Sequence, residues 1–313
     1  MRLMAHAHPH AHAHAHGHAH HRHAHAPQNF DRAFLVGIGL NLALVVAQVV
    51  WGVRANSLGL LADAGHNASD VLALALAWCA TWLARRPPTP RFTYGFRRSS
   101  ILAGLANAGL LLIATGMIAW ESVLRLRAPE AIVPLPVIVV AGAGIIINSV
   151  SALLFARGSG DLNVRAAFQH LLADAMLSAA VLAGAGLTWA TGWSWVDPAV
   201  ALLIAAVIVR SSWSLLSEAV QLSLDAVPSG VDRAAVERFL GGLEGVSQVH
   251  DLHIWPMSTT EVALTAHLVR PGAPGDDRFC ADAARALAHN FGIAHATLQI
   301  EHGASEHGCG QGC

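Results

Sequence analysis

The chain has 313 residues, of which 54% are hydrophobic and only 12% charged, and its formal net charge is -1 with histidine neutral; a soluble domain carries about a quarter charged residues. Mean hydropathy is +0.47, and the charge deficit falls on residues 30–225, so a purely soluble globule is excluded and a nucleic-acid partner has no electrostatic support. Four cysteines, two of them in a Gly-rich tail, do not form a disulfide framework, and the absence of lysine decides nothing about function.

Residues 1–29 are of low complexity: His6, His8, His10, His12, His14, His16, His18, His20, His21, His23 and His25 mostly alternate with alanine. Such a tract has nothing to bury and is expected to be disordered. It binds transition metals weakly and with mixed selectivity, and it gains charge just below neutrality. A zinc-collecting tail and a dispensable tract are both compatible with it. No apolar stretch precedes residue 30, so the first apolar helix is expected to act as its own targeting signal.

Six apolar segments follow, at roughly 32–53, 57–83, 98–126, 132–156, 163–190 and 196–216. Each is long enough to cross a hydrocarbon layer ~30 Å thick. Arg85-Arg86-Pro87-Pro88-Thr89-Pro90 ends the second, Pro129, Pro134 and Pro136 flank the start of the fourth, and Asp197-Pro198 reads as the start of the sixth. The sixth is expected to continue beyond the lipid to Asp225. The N-terminal tail and the 2–3 and 4–5 loops hold ten arginines (Arg2, Arg22, Arg32, Arg85, Arg86, Arg91, Arg97, Arg98, Arg157, Arg165) against Arg54, Arg125 and Arg127 on the other side. That asymmetry places both termini in the cytoplasm.

From Val227 the composition turns soluble. Asp232–Leu243 reads as an amphipathic helix, Val246–Trp255 and Glu261–Val269 alternate like strands, Asp276–Phe291 is helical, and Ala296–Glu301 alternates again. The expected fold is therefore an all-α six-helix transmembrane domain followed by a small α/β domain of order α-β-β-α-β, with helices on one face of a three-stranded sheet. The expected organisation is a His-rich tail at 1–29, a transport domain at 30–225, a cytoplasmic domain at 226–304 and a Cys-containing tail at 305–313.

Two patterns inside the apolar region carry chemistry. His66-Asn67-Ala68-Ser69-Asp70 and His170-Leu171-Leu172-Ala173-Asp174 each place an imidazole and a carboxylate at i and i+4, on one helix face. Ionisable groups at bilayer depth are costly and point to function. One such pair is readily accounted for as a buried interhelical hydrogen bond; two at identical spacing supply two nitrogens and two oxygens, the donor set of a tetrahedral site for a divalent ion. Asp63, seven residues before Asp70, falls near the same face and reads either as a carboxylate supporting the ligands or as a structural polar contact. Asn67, Ser69, Asn41, Gln48, Asn107 and Asn148 read as helix–helix contacts, Glu121 as a rim residue, and Cys79 as core.

In the soluble part, His250, His253, His267, Glu301 and His302 lie on the three strands, and Cys309 and Cys313 in the tail. His250 and His253 are three apart and face opposite sides of an ideal strand, so a site using both requires a bend or bulge. Surface histidines on a domain that needs no metal are the alternative; His289 and His295 read as surface residues.

The segments Leu60–Asp70, Leu162–Asp174 and His250-Asp251-Leu252-His253-Ile254-Trp255 resemble the second-helix, fifth-helix and cytoplasmic-strand motifs of the cation diffusion facilitator family. The resemblance covers roughly residues 30–302. It implies a homodimeric zinc/proton antiporter with a metallochaperone-like cytoplasmic domain, a transport site of His66, Asp70, His170 and Asp174, and a regulatory zinc cluster drawing on His250, His267 and Glu301. Some members carry a further zinc site in the 2–3 loop; here Pro87–Phe96 has no histidine or carboxylate, so none is expected. The His-rich 4–5 loop of zinc members is also missing, the histidine tract standing at the N-terminus instead.

Ligand chemistry supplies the expected mechanism. A ligand must be deprotonated to hold a metal, so zinc and protons compete for the site, and histidine titrates near ~6.5 and carboxylates near ~4 before local effects. Zinc binds from the cytoplasm and is displaced by protons on the outer side, by alternating access and without a nucleotide; no phosphate-binding G-x-x-x-x-G-K-[S/T] pattern occurs. The location expected is a bacterial cytoplasmic membrane. Export of cobalt, nickel or cadmium, an intramembrane metalloenzyme, for which no H-E-x-x-H is present, and a zinc sensor without flux are the competing readings.

Overall fold

A computed structural model describes residues 29–156, 162–272 and 277–303, with the backbone alone for 29–38, 154–156 and 162–167. The histidine tract, Cys309 and Cys313 lie outside the described residues. The apolar region forms six helices: α1 (Asn29–Arg54), α2 (Leu58–Ala84), α3 (Ser99–Arg127), α4 (Pro134–Ala156), α5 (Leu162–Thr191) and α6 (Val196–Ser223). The last five contain stretches long and apolar enough to cross a membrane, and α1 contributes the apolar run Gly39–Arg54. The boundaries have local causes. Ser57 caps α2 by accepting from the Leu60 amide at 3.2 Å. Beyond α6 the chain leaves the helix and turns at Asp225, whose φ is +60°.

α4 lies along α5 and α3 along α6, while α2 touches α1, α3, α5 and α6. Leu60, Ala62, Val137, Ala141, Val181, Ala185, Ile204 and Ile208 form the shared core. At Gly144 the α4–α5 approach is so close that a Cβ would stand 2.9 Å from Ser178 Oγ. Trp78, Trp82, Met117, Trp120 and Trp189 point outward around the bundle, as side chains facing lipid do. Cys79 is exposed among them rather than in the core; it follows Trp78 on the outward face of α2, where composition alone does not separate lipid-facing from buried.

At the end of the bundle where α2 starts, Asp197 of α6 is buried. It accepts from Ser57 Oγ at 2.5 Å and from the Leu58 amide at 2.7 Å. A carboxylate at a helix N-terminus meets both unpaired amides and the positive end of the dipole. Arg125 adds a bond to the Asn56 carbonyl at 2.8 Å and a pair with Glu121 at 3.1 Å. This end is closed.

The second domain contains α7 (Arg233–Gly241), β1 (Gln248–Pro256), β2 (Val262–Val269), α8 (Asp277–Phe291) and β3 (Ile293–Glu301). The sheet order is β1-β2-β3, antiparallel then parallel. Val236, Leu240, Leu252, Leu264, Leu268 and Leu287 form the core between the helices and one face of the sheet. β3 begins three residues before the expected Ala296, because Gly292 (φ +69°) turns the chain straight from α8 into the strand. β1 carries a bulge: His250 pairs with His267 and His253 with Thr265, so three steps on β1 match two on β2. Asp251 sits in this bulge with φ +51°. The extra residue restores His250 and His253 to the same face, the one opposite the helices.

The two domains meet through polar links. Arg97 Nη1 reaches Glu261 Oε2 at 2.5 Å and the Thr259 amide donates to Ser100 Oγ at 3.1 Å, while Arg98 pairs with Asp225 at the turn that leaves α6. Tyr94 stands edge-on to His295, ring centroids 5.9 Å apart.

Candidate metal centre

α2 and α5 run antiparallel, so polar residues one turn apart on each helix meet as rungs. At the rung nearest the sheet domain, His170 Nε2 is 3.3 Å from Asp70 Oδ2. At the next, His66 Nε2 is 3.2 Å from Asp174 Oδ1, and Asp174 Oδ2 is 3.7 Å from His170 Nε2. Farther in, Ser178 Oγ donates to Asp63 Oδ2 at 2.8 Å. His66, Asp70 and Asp174 each offer a ligand atom within 4.8 Å of the others. His170 joins through the two carboxylates and stands farther from His66, their ring centroids 6.1 Å apart.

These separations suit one ion. Zinc bonds of ~2.1 Å in a tetrahedron place neighbouring ligand atoms ~3.4 Å apart. The observed 3.2, 3.3 and 3.7 Å are edges of that size. Side-chain exposure falls along the column, from 49% at His170 and 28% at Asp70 to 15% at His66 and 3% at Asp174. The column is therefore most exposed at the end nearest the sheet domain and buried at the other.

Asp63 is completely buried and binds Gln48 Nε2 at 2.7 Å as well as Ser178. Asn67 donates to Gln48 Oε1 at 3.1 Å, and Ser69 Oγ reaches Asn107 at 3.5 Å. All are helix–helix contacts. Nothing in the sequence marks Ser178, an ordinary membrane-helix serine until α5 sets it one turn beyond Asp174.

The open face of the sheet holds a second cluster. Glu301 faces His250 Nε2 at 3.1 Å through Oε2 and His267 Nδ1 at 2.9 Å through Oε1. The two imidazoles stand edge to face with centroids 5.1 Å apart. Burial under these rings pushes the Glu301 carboxyl up, but the hydrogen bond and charge of His250, followed by those of His267, outweigh it and hold its pKa below the usual value. Asp251 carries no sequence signal of a role here. Its left-handed backbone turns the carboxylate between His253 Nε2 at 2.9 Å and His267 Nε2 at 3.4 Å. His253 thus reaches the cluster only through Asp251, and His302 is exposed beyond the end of β3. His250, His267 and Glu301 fit a divalent ion: ligand atoms within 4.8 Å, mixed nitrogen and oxygen donors, and a neighbouring carboxylate to orient one ring.

Comparison with known proteins identifies the family. The cation efflux transmembrane domain matches residues 34–222, and the cytoplasmic domain of cation efflux proteins matches residues 228–303. The chain belongs to the cation efflux (cation diffusion facilitator) family. It is 37% identical over 277 residues to the metal cation efflux system protein CzcD of Cupriavidus metallidurans, covering 88% of each chain. Similarity to the zinc transporter ZitB of Escherichia coli is 35% over 278 residues, again 88% of each. A cadmium, cobalt and zinc/H(+)-K(+) antiporter of Bacillus subtilis is 28% identical over 286 residues, 88% of this chain and 90% of that one. A solved metal-bound C-terminal domain of the CzcD transporter from Cupriavidus metallidurans aligns at 36% identity with 23% of this chain and 99% of its own (TM-score 0.21). This cation efflux protein is thus a multi-pass integral membrane protein, a transporter of metal cations and not an enzyme.

Proposed function

We propose that the protein exports Zn2+ from the cytoplasm in exchange for protons, using His66, Asp70, His170 and Asp174 as a single site between α2 and α5. The observation that carries this reading is the contact chain Asp70–His170–Asp174–His66, whose spacings match the edges of a four-ligand site. The sheet domain and both termini face the cytoplasm, by the arginine bias of the loops. The exposure gradient supports reading this arrangement as the inward-facing one. A Zn2+ ion enters past His170 and Asp70 and displaces protons from the imidazoles. Rearrangement closes that end and parts the Asp197–Ser57 end. Protons from the more acidic side occupy the ligands, the ion leaves, and the protonated site returns. The membrane is a bacterial cytoplasmic membrane.

His250, His267 and Glu301 hold a resident zinc ion that fixes the open sheet face. That face, bare of helices, is where a second copy of the chain docks to form a homodimer. Asp251 orients His267, and Cys309, Cys313 and the N-terminal histidines supply further, weaker metal contacts. A second reading, export of Cd2+ and Co2+ beside Zn2+, is favoured by the name of the Bacillus subtilis relative.

Counter-transport in sealed vesicles tests this. Zinc uptake driven by an imposed proton gradient, and lost in Asp70→Ala or Asp174→Ala, is the expected result. Zinc binding without flux in the wild type, or flux indifferent to both substitutions, refutes the reading. Parallel runs with Cd2+ and Co2+ decide between the two selectivities.

A further inference from the structure

The polar column continues past the four ion-site residues. Asp63 is fully buried between α1, α2 and α5. Gln48 Nε2 and Ser178 Oγ both donate to one of its oxygens, Oδ2, and Asn67 Nδ2 is directed to Gln48 Oε1. The other oxygen, Oδ1, has no hydrogen-bond partner among the described residues, and neither has Asn67 Oδ1, one turn along the same helix. Two buried acceptors on one face lack a hydrogen to share.

Among the described residues no arginine balances this carboxylate. The titratable groups facing it are His66 on its own helix and Asp174 on α5. At this level α1 contributes Gln48, and α4 has no charged residue between Pro134 and Leu153. Arg125 and Glu121 of α3 and Asp197 of α6 are engaged at the closed end of the bundle. An ionised carboxylate with an unmet oxygen is costly in such surroundings. One proton on Oδ1 removes the charge and supplies the missing donor.

We propose that Asp63 is a proton-binding site separate from the ion site, and that one of the protons exchanged for metal is carried on its Oδ1. The inference rests on the proton-exchange reading above. When the outer end parts, Asp63 is the carboxylate of this column nearest that side, and it takes up one proton to become a neutral carboxyl. The negative field beside the ion site drops, which favours release of the divalent cation. When the site next faces inward, the arriving cation raises the positive potential one turn away, and Asp63 gives its proton up. No bond other than O–H is made or broken. Gln48 and Ser178 tune the exchange, because donors to a carboxylate favour its ionised form.

The test uses the full-length chain in liposomes, with Zn2+ as the probe and zinc and proton fluxes recorded together. In Asp63→Asn zinc should still bind, about tenfold more weakly and with less dependence on pH, while the number of protons moved per zinc falls by one. The infrared carbonyl band of a protonated carboxyl should vanish in the same variant. Ser178→Ala and Gln48→Leu keep the carboxyl and remove a donor, so the external pH at half-maximal exchange should shift upward; these variants decide the matter if Asp63→Asn does not fold. An unchanged proton count in Asp63→Asn, or unchanged pH profiles in the two donor variants, overturns the assignment to Asp63. A wild-type protein that moves zinc without protons overturns the exchange reading itself, a result that needs no variant to see.

Discussion

Asp70 and Asp174 both serve as ligands in the proposed site, but their surroundings are unequal. Asp174 is 3% exposed and faces both imidazoles; Asp70 is 28% exposed and faces His170. Replacing either by asparagine keeps the shape and removes an anionic donor. At the Asp70 position water can reach the vacated corner, so part of the hydration and field is restored. At Asp174 it cannot. Two unit charges ~4 Å apart interact by ~1 kcal/mol in water and ~4 kcal/mol at an effective dielectric of ~20, and the double charge of Zn2+ raises these to ~2 and ~8 kcal/mol. With ~1.4 kcal/mol per tenfold, Asp174→Asn should weaken zinc binding by about a thousandfold or more and Asp70→Asn by about thirtyfold. The assay is a chelator-competition titration of the detergent-solubilised full-length protein near neutral pH, in a His267→Ala background that silences the sheet cluster. Equal losses, or a larger loss in Asp70→Asn, would refute the argument from water access; zinc binding unchanged in both would remove the site.

The sheet cluster makes its own predictions. His253 is 52% exposed and bonded to Asp251, so His253→Ala should lower zinc affinity there by no more than about tenfold, the cost of an outer partner, whereas His267→Ala should abolish it; a titration in an Asp174→Asn background measures both. Glu301 has its pKa lowered in the folded chain, so its contribution to stability is complete above the ordinary glutamate value and is lost as pH falls through the lowered one. Metal-free wild type should therefore lose melting temperature on the acid side more steeply than Glu301→Gln, and parallel melting curves would contradict the pairing. Leu264, fully buried in the middle strand, should cost ~2–5 kcal/mol when cut to alanine, seen as early proteolysis of the sheet domain while the helical domain still binds zinc.

Most of the architecture is visible in the linear pattern, for physical reasons that also mark where the pattern fails. Apolar runs of span length can satisfy their backbone only as helices, which is why α2 to α6 lie close to their expected ranges. The i, i+4 pairs are legible because an imidazole and a carboxylate on an apolar helix must find an ion or a polar partner to offset their desolvation. What pairs with what is not legible. That Asp70 meets His170 across the helices, rather than His66 along its own, follows from the antiparallel stagger of α2 and α5. Asp197 has the sequence marks of an ordinary helix start, yet it caps α2 from 140 residues away. The bulge at Asp251 is required by the His250/His253 spacing only if both serve one site, and a left-handed aspartate leaves no sequence mark that distinguishes it from a strand residue. Cys79 fails for a related reason: inside a bilayer, outward and inward faces are equally apolar.

The one ion pair between the helical bundle and the sheet domain among the described residues is Arg97–Glu261, both side chains more than a third exposed, beside the Thr259–Ser100 bond and the Tyr94–His295 contact. Exposed ion pairs contribute at most about 1 kcal/mol apiece and fade as salt rises. The ionic part of this contact thus adds little to the hold between the two domains, and less as the salt concentration of the surrounding fluid rises.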